Sequence, residues 1–340
     1  MRRVFITGTS GFIGYHLAKE LLAHDFHVTG YDGLTDYYDV TLKRRRQQML
    51  LQSPRFSCVN GMLEDEALLT QTLRAAQPEV IIHLAAQAGV RYSLENPRSY
   101  VSSNLLGTFN VMELARELEV GHLLMASTSS VYGGNTEMPF SEDHKADTPL
   151  TLYAATKKAN EAMAHSYAHL WQIPTTMFRF FTVYGPWGRP DLALYKFVRA
   201  GLAGQPIDVY NHGQMARDFT YIDDLVKAIR LLIDTAPDGA ETVPEWDTKS
   251  PVAPYRVVNI GNGQRVNLMD FIEEIEKALG FELQKNFMEM QMGDVPGTWA
   301  SSDLLEALTG FKPDTPVSIG IARFVDWYRD YHASSDQTKT

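Results

Sequence analysis

Val4-Phe5-Ile6-Thr7 is a short apolar run, and Gly8-Thr9-Ser10-Gly11-Phe12-Ile13-Gly14 follows it at once. From Phe12 to Ala23 the pattern becomes helical. A strand, a tight glycine turn and a helix in that order constrain the fold more than any other stretch. Glycines at 8, 11 and 14 permit the turn, a close backbone approach to a pyrophosphate, and close packing of helix on strand. The free N–H groups at the helix start favour an anion. A second strand, His27-Val28-Thr29-Gly30-Tyr31-Asp32, ends on an acid close to the expected ~20 residues beyond the turn. A carboxylate there accepts hydrogen bonds from a ribose diol and repels a 2′-phosphate, so the pattern favours NAD over NADP. Lys43-Arg44-Arg45-Arg46 is the counter-evidence, as a possible phosphate clamp. It lies well beyond the strand end and reads better as a solvated helix face.

The alternation continues. Apolar strand-like runs at Phe56–Asn60, Val80–Leu84, His122–Ser127 and Thr175–Phe180 are separated by helix-like runs at Glu66–Ala76, Tyr100–Leu118 and Thr151–Trp171. This predicts an α/β fold with a doubly wound parallel sheet. Ligands bind such sheets at the C-terminal ends of the strands. His83–Gln87 and Ser127–Ser130 fall at two of those ends. Thr128 is placed either to hydrogen-bond a substrate hydroxyl or to cap a turn; its position at a strand end favours the first. Tyr153 and Lys157 stand four positions apart near the start of a helix-like run, on one face. A cation beside a phenol lowers its pKa from the ordinary value of about 10. The pair alone is weak evidence. It gains meaning beside a nicotinamide site and a hydroxyl partner.

A chain of 340 residues that is 44% hydrophobic has material for two domains, or for one large domain with a lobe. The net charge of −10 argues against broad nucleic-acid binding, which needs clustered Lys and Arg. The single cysteine, Cys58, excludes an internal disulfide and a cysteine metal cluster, and its apolar neighbours suggest a core position. No metal site is read. No apolar run reaches the ~20 residues that span a bilayer, and the first residues enter a strand directly. The expectation is a soluble cytoplasmic protein.

Together, the Gly8/Gly11/Gly14 turn, Asp32, His83–Gln87, Asn104, Ser127–Gly133 ending in Val131-Tyr132-Gly133, and Tyr153/Lys157 resemble the extended short-chain dehydrogenase/reductase family. Within it, the chain is most similar to the epimerases of UDP-glucuronate. The more specific stretches are Asp36–Asp39, Ala88–Ser93, Arg179–Asp191 and Arg217–Asp224. The resemblance implies a Rossmann-type domain over residues 1–180 and a nucleotide-sugar lobe mainly over 181–335, with segments returning to the first domain; the last residues, 336–340, read as a disordered tail. It implies bound NAD, held by Gly8, Gly11, Phe12, Ile13, Gly14, Asp32, Leu63, Leu84, Ala85, Ala86, Gln87, Asn104, Tyr153 and Lys157. Tyr153 is the expected base, Lys157 its activator and Thr128 a hydrogen-bond partner of the reacting oxygen. Arg91, Ser129, Ser130, Thr182, Arg189, Arg217 and Asp294 are the expected substrate contacts. Of these, Arg217 is expected at the diphosphate, Asp294 at the uridine ribose and Arg189 at the sugar carboxylate. The helix pair Tyr100–Leu118 and Thr151–Trp171 resembles the four-helix dimer interface of the family, which implies a homodimer. Three positions depart from the pattern: Met62 replaces an aspartate, Gly33 an asparagine and Leu152 a proline.

The second half is less regular. Helices are expected at Tyr195–Ala203, Tyr221–Asp234, Leu268–Leu279 (with Asn267 as N-cap) and within Asp314–Tyr331, with a strand at Val257–Gly261. Ala236–Pro254 reads as an exposed loop. The expected activity is NAD-dependent C4 epimerisation of UDP-glucuronate to UDP-galacturonate. Three rivals remain. Decarboxylation is disfavoured because Ser129-Ser130 stand where decarboxylating and dehydrating relatives carry an acid. A neutral-sugar epimerase, for UDP-glucose or a UDP-N-acetylhexosamine, is disfavoured by Arg189. A dinucleotide-sensing binding protein is disfavoured by the intact Tyr153, Lys157 and Thr128.

Overall fold

The computed structural model describes residues 1–239 and 243–336. Its centre is a seven-stranded parallel sheet made of β1 (Arg3–Thr7), β2 (His27–Asp32), β3 (Phe56–Asn60), β4 (Val80–His83), β5 (His122–Thr128), β6 (Thr175–Phe180) and a late strand, Tyr255–Ile260. The order is Tyr255–Ile260, β6, β5, β4, β1, β2, β3. Succeeding strands run outward from β1 in both directions, so the reversal of strand order lies between β1 and β4. A crevice opens at such a point. Strand register makes its floor level: Thr7 pairs with Tyr31 and His83, and Thr128 with Phe180.

Period-2 alternation sends successive side chains to opposite faces, and both faces are covered. Val4, Ile6, Val80, Ile82 and Leu124 join one buried cluster. Phe5, Ile81, Leu123 and Met125 join the other. Helix α1 (Phe12–Ala23) follows β1, α2 (Val40–Leu50) follows β2, and α3 (Glu66–Ala76) follows β3. Between β4 and β5 the chain forms two short helices, a π-helical stretch at Val101–Gly107 and a helix at Thr108–Glu117. The helix Leu152–Trp171 precedes β6 and starts at Thr151, whose hydroxyl accepts from the Ala154 N–H at 3.3 Å.

The late strand Tyr255–Ile260 enters the main sheet beside β6, and three smaller sheets lie among the residues after β6 and Val266 onward. Helices at Ala193–Leu202, Ile222–Leu232, Leu268–Leu279 and Val317–Asp336 match those expected, within a few residues at each end. Asn267 stands at the N-cap position but makes no side-chain cap; its amide donates to Asp270 at 2.9 Å. The expected tail lies outside the described residues from 337 on, and Asp336 ends the last helix. Residues 240–242 of the expected loop also lie outside them. Its described part is not merely solvated: Asp247 receives two hydrogen bonds of 2.8 Å from the buried Arg256. Cys58 is half-buried rather than core, with its Sγ 3.1 Å from the Gln47 amide. Among the described residues no helix is long and apolar enough to cross a membrane.

Candidate active site

A cleft of about 730 Å³ runs along the strand ends from the glycine turn to the loops after β6. At its first end Gly8 has φ +82°, and a Cβ there would lie 3.0 Å from the Ala85 nitrogen. A Cβ on Gly14 would lie 2.0 Å from the Gly8 carbonyl oxygen. No other residue type fits either position. Beneath the turn, the Thr7 hydroxyl accepts from the N–H groups of Leu84 (3.1 Å) and Ala85 (3.0 Å), so its proton goes to His83 Nδ1 at 2.8 Å. His83 Nε2 then donates to Thr108 at 3.0 Å. Burial pulls the His83 pKa down to about 3, which keeps this tautomer neutral. The segment Leu84–Gln87 is thereby fixed as one wall of the cleft.

Asp32 is buried, and its carboxylate accepts from the Ser10 N–H and the Leu34 N–H, both at 2.8 Å. A carboxylate has about four acceptor positions, so it retains capacity for a diol. The glycine cradle, this carboxylate and the small residues Ala85 and Ala86 fit a dinucleotide. Gly8, Gly11, Phe12, Ile13, Gly14, Leu63, Leu84, Ala85, Ala86 and Gln87 all line the cleft. Asn104 does not; it braces the wall, accepting from Gln87 N–H at 2.8 Å and donating to its carbonyl at 3.1 Å. Two departures from the family pattern prove to be neighbours. A Cβ on Gly33 would lie 2.5 Å from Met62 Sδ, so the thioether occupies space that only glycine leaves open.

The basic run Lys43–Arg46 is only in part the solvated face expected: Arg44 is exposed. Arg46 is fully buried, and Lys43 nearly so. Arg46 Nη1 donates to the Ser10 carbonyl (3.0 Å) and the Tyr38 hydroxyl (2.9 Å). Its Nη2 donates to the carbonyls of Trp187 (2.5 Å) and Gly188 (3.4 Å). The side chain thus ties the glycine turn to the loop carrying Arg189, with neutral partners only at these hydrogen bonds. Lys43 lines the cleft and donates to the Thr35 carbonyl at 2.5 Å and its hydroxyl at 3.0 Å. Sequence reasoning missed both because α2 has no apolar stripe to mark its inner face. Arg46→Ala strips three carbonyls of a buried donor, and a buried polar group left unpaired costs about 1–3 kcal/mol. We expect a loss on the order of 3 kcal/mol in denaturant unfolding; a change under about 0.5 kcal/mol, the size of an ordinary surface effect, contradicts the assignment.

At the centre of the cleft stand Tyr153, Lys157 and Thr128. Tyr153 and Lys157 share the inner face of the helix Leu152–Trp171. That helix is bolted to the strand ends by Glu161, which accepts from Ser127 Oγ at 2.7 Å and from Arg179 Nε and Nη2, each at 2.9 Å. Lys157 Nζ donates to the Ala126 carbonyl at 2.9 Å, and burial pulls its pKa down to about 8. Burial raises the Tyr153 phenol above its ordinary value; the neighbouring Thr128 hydroxyl and the charge of Arg189 oppose the rise.

At the far end, Ser129, Ser130, Thr182, Arg189, Arg217 and Asp294 line the cleft. Thr128 accepts from the Ser130 N–H at 3.2 Å, so it caps the turn as well as facing the cleft. The carboxylates that line the cleft, among the described residues, are Asp32, Glu64 and Asp294. Serines, not acids, flank Thr128. Arg189 donates from Nε to Asp191 Oδ1 (3.0 Å) and from Nη2 to Oδ2 (2.5 Å). Arg91, outside the lining, reaches Asp294 at 2.9 Å. Burial depresses the Arg217 pKa, Asp294 counters that, and Arg91 adds to it. Two guanidinium groups facing one carboxylate leave a surplus positive charge.

The comparisons with known proteins agree with this geometry. Residues 4–261 match the model of the NAD dependent epimerase/dehydratase family. A protein of Rhizobium meliloti (strain 1021) described as a probable UDP-glucuronate 4-epimerase is 60% identical over 329 residues, 96% of each chain. The UDP-glucuronate 4-epimerase 4 of Arabidopsis thaliana is 43% identical over 335 residues, 97% of this chain and 76% of that one. The crystal structure of UDP-glucuronic acid 4-epimerase from Bacillus cereus, in complex with UDP-glucuronic acid and NAD, superposes with a TM-score of 0.87 at 31% identity, covering 97% of this chain and 100% of that one. The chain belongs to the NAD dependent epimerase/dehydratase family.

Proposed function

We propose that this protein interconverts UDP-glucuronate and UDP-galacturonate by NAD-dependent inversion at C4. One observation carries the reading: the Arg189 guanidinium lines the same cleft as Tyr153 and lies near enough for its charge to act on the phenol. A guanidinium grips a carboxylate through paired hydrogen bonds, and a uronate carries its carboxylate one carbon from C4. Relatives and solved neighbours named for UDP-glucuronate support the same substrate.

Tyr153, as phenolate, takes the proton from the sugar 4-hydroxyl, and Thr128 hydrogen-bonds that oxygen. When bound, NAD supplies a reversible hydride acceptor and, oxidised, a positive charge that favours the phenolate. Lys157, charged at neutral pH, holds the Ala126 carbonyl and the wall beside it. Arg217 and Arg91 balance the diphosphate, and Asp294 meets the uridine ribose, exchanging Arg91 for it. Ser129 and Thr182 add hydrogen bonds at the sugar carboxylate, and Ser130 lines the same wall. Residues 1–180 form the dinucleotide domain and 181–335 chiefly the sugar lobe. The absence of a carboxylate beside Thr128 favours epimerisation over elimination. Incubation with UDP-glucuronate tests the reading: conversion to the 4-epimer is expected, and tight binding without turnover would favour the sensing protein.

The cofactor reading has its own test. Protein purified without added cofactor should release NAD(H) on denaturation. Release of NADP alone, or preference for NADP in reconstitution, contradicts the role given to Asp32. We also place the protein in the cytoplasm as a homodimer. Exposed Val101, Leu106 and Phe109, with Leu170 and Trp171 on the Leu152–Trp171 helix, support an apolar contact there. Light scattering at micromolar concentration should give twice the chain mass; a monomer refutes it.

A further inference from the structure

Asp191 has no part in the chemistry outlined above, yet it occupies the bidentate edge of the residue assigned to the substrate carboxylate. Arg189 Nε and Nη2 are 3.0 and 2.5 Å from its two oxygens. Asp191 is itself held by a hydrogen bond of 3.2 Å from the Tyr37 hydroxyl, on the loop after β2. Gly89 makes room for that hydroxyl, since a Cβ there would lie 2.6 Å from it. Arg189 lines the cleft and Asp191 does not. The aspartate takes the edge of the guanidinium that carries Nε and Nη2. No hydrogen bond engages Arg189 Nη1 among the described residues, and the side chain is 22% exposed. The edge carrying Nη1 is therefore the one offered to the cleft.

Resting on the reading that Arg189 receives the uronate, we propose that Asp191, positioned by Tyr37, is an internal carboxylate that competes with the substrate's and limits the grip of Arg189. The chemistry supplies the reason. Inversion at C4 requires the oxidised sugar to turn both faces of C4 to one fixed wall of the cleft. The carboxylate on C5 moves with the ring, so its contact with Arg189 must be made and released in each turnover. A guanidinium whose whole charge faced the cleft would bind the ground state tightly and hold the ring. Binding that is equally strong before and during the reaction does not raise kcat, and a contact that opposes the turning lowers it. Asp191 offsets part of that charge and keeps a partner for Arg189 at the moment of release. An arginine without a counter-ion in a partly enclosed wall is costly. With Asp191 paired to it, letting go of the uronate does not create one.

Steady-state kinetics of the NAD-loaded protein test the proposal. Asp191→Asn keeps the shape and removes the charge. It is expected to lower both KM and kcat for UDP-glucuronate by about tenfold, the scale of one charge-assisted contact. Inhibition by UDP and by UDP-glucose, which lack the carboxylate, should stay within about twofold of the parent, well under the factor of ten that one pKa unit's worth of free energy carries. Tyr37→Phe loosens Asp191 without removing its charge, and should shift KM and kcat in the same direction by less. A raised or unchanged KM in Asp191→Asn, or equal changes for all three ligands, overturns the proposal and leaves Asp191 a structural partner. If Asp191→Asn does not fold, Tyr37→Phe decides alone: KM and kcat falling together support the proposal, and any other pattern contradicts it. Failure of the underlying reading is separately visible, because Arg189→Ala would then leave the KM for UDP-glucuronate unchanged.

Discussion

Replacing Tyr153 by Phe should reduce epimerisation by about 100- to 10,000-fold, the range of a general acid–base group, while NAD stays bound. The ring packs edge-on against Tyr100 with centroids 6.1 Å apart, and Phe preserves that contact. What disappears is the oxygen that exchanges a proton with the sugar 4-hydroxyl. The cleft gives no substitute: Lys157 Nζ is engaged by the Ala126 carbonyl, and Tyr100 donates to the carbonyls of Ala88 (3.0 Å) and Gly89 (2.5 Å). Burial raises both tyrosines and the charge of Arg189 opposes the rise at both, but Tyr153 also has the Thr128 hydroxyl drawing its phenol back toward ionisation. Retention of most of the activity, measured under saturating UDP-glucuronate, would move the base elsewhere.

Arg189→Ala should weaken UDP-glucuronate binding by roughly ten- to a hundredfold, since hydrogen bonds to a charged group are worth about 1.5–3 kcal/mol and each 1.36 kcal/mol is a factor of ten. The variant also leaves Asp191 unpaired beside the incoming carboxylate, and that repulsion adds to the loss. A second effect concerns the fate of the intermediate. The 4-keto-uronate is a β-keto acid and loses CO2 when its carboxylate bond aligns with the ketone and the negative charge can leave. A contact that anchors the charge on the carboxylate raises that barrier, and Ser129 and Thr182 reinforce it. The share of turnovers ending in UDP-4-keto-pentose or UDP-pentose should therefore rise. Unchanged affinity together with an unchanged product ratio would make Arg189 an ordinary partner of Asp191.

Much of this was legible before the structure, for identifiable reasons. Glycines 8, 11 and 14 constrain backbone geometry directly, so the turn and the strands on either side of it were read within a residue or two. Strongly apolar strands gave the parallel Rossmann-type sheet, and the motifs gave the family. The late strand Tyr255–Ile260 fell within two residues of the expected Val257–Gly261, but a strand's partner in the sheet does not show in its own sequence. Helix α2 escaped because its buried face carries Lys43 and Arg46, and a basic run looks solvated until its acceptors, the carbonyls of Thr35, Trp187 and Gly188, are seen. Helical spacing places Lys157 on the right face, but its hydrogen bond to the Ala126 carbonyl, on β5, joins residues distant in sequence. The match of Met62 to Gly33 is likewise a contact between residues distant in sequence.

Inversion through a 4-ketone requires hydrogen to leave C4 and return to it on the opposite face, within the cleft. Proton NMR of UDP-glucuronate turned over in D2O by the purified protein follows that hydrogen. The expected product is UDP-galacturonate, with H4 still protium and its coupling to H3 collapsed to the small value of an axial hydroxyl. Deuterium at C4 or C5, or a pentose product from the unaltered protein, would contradict it.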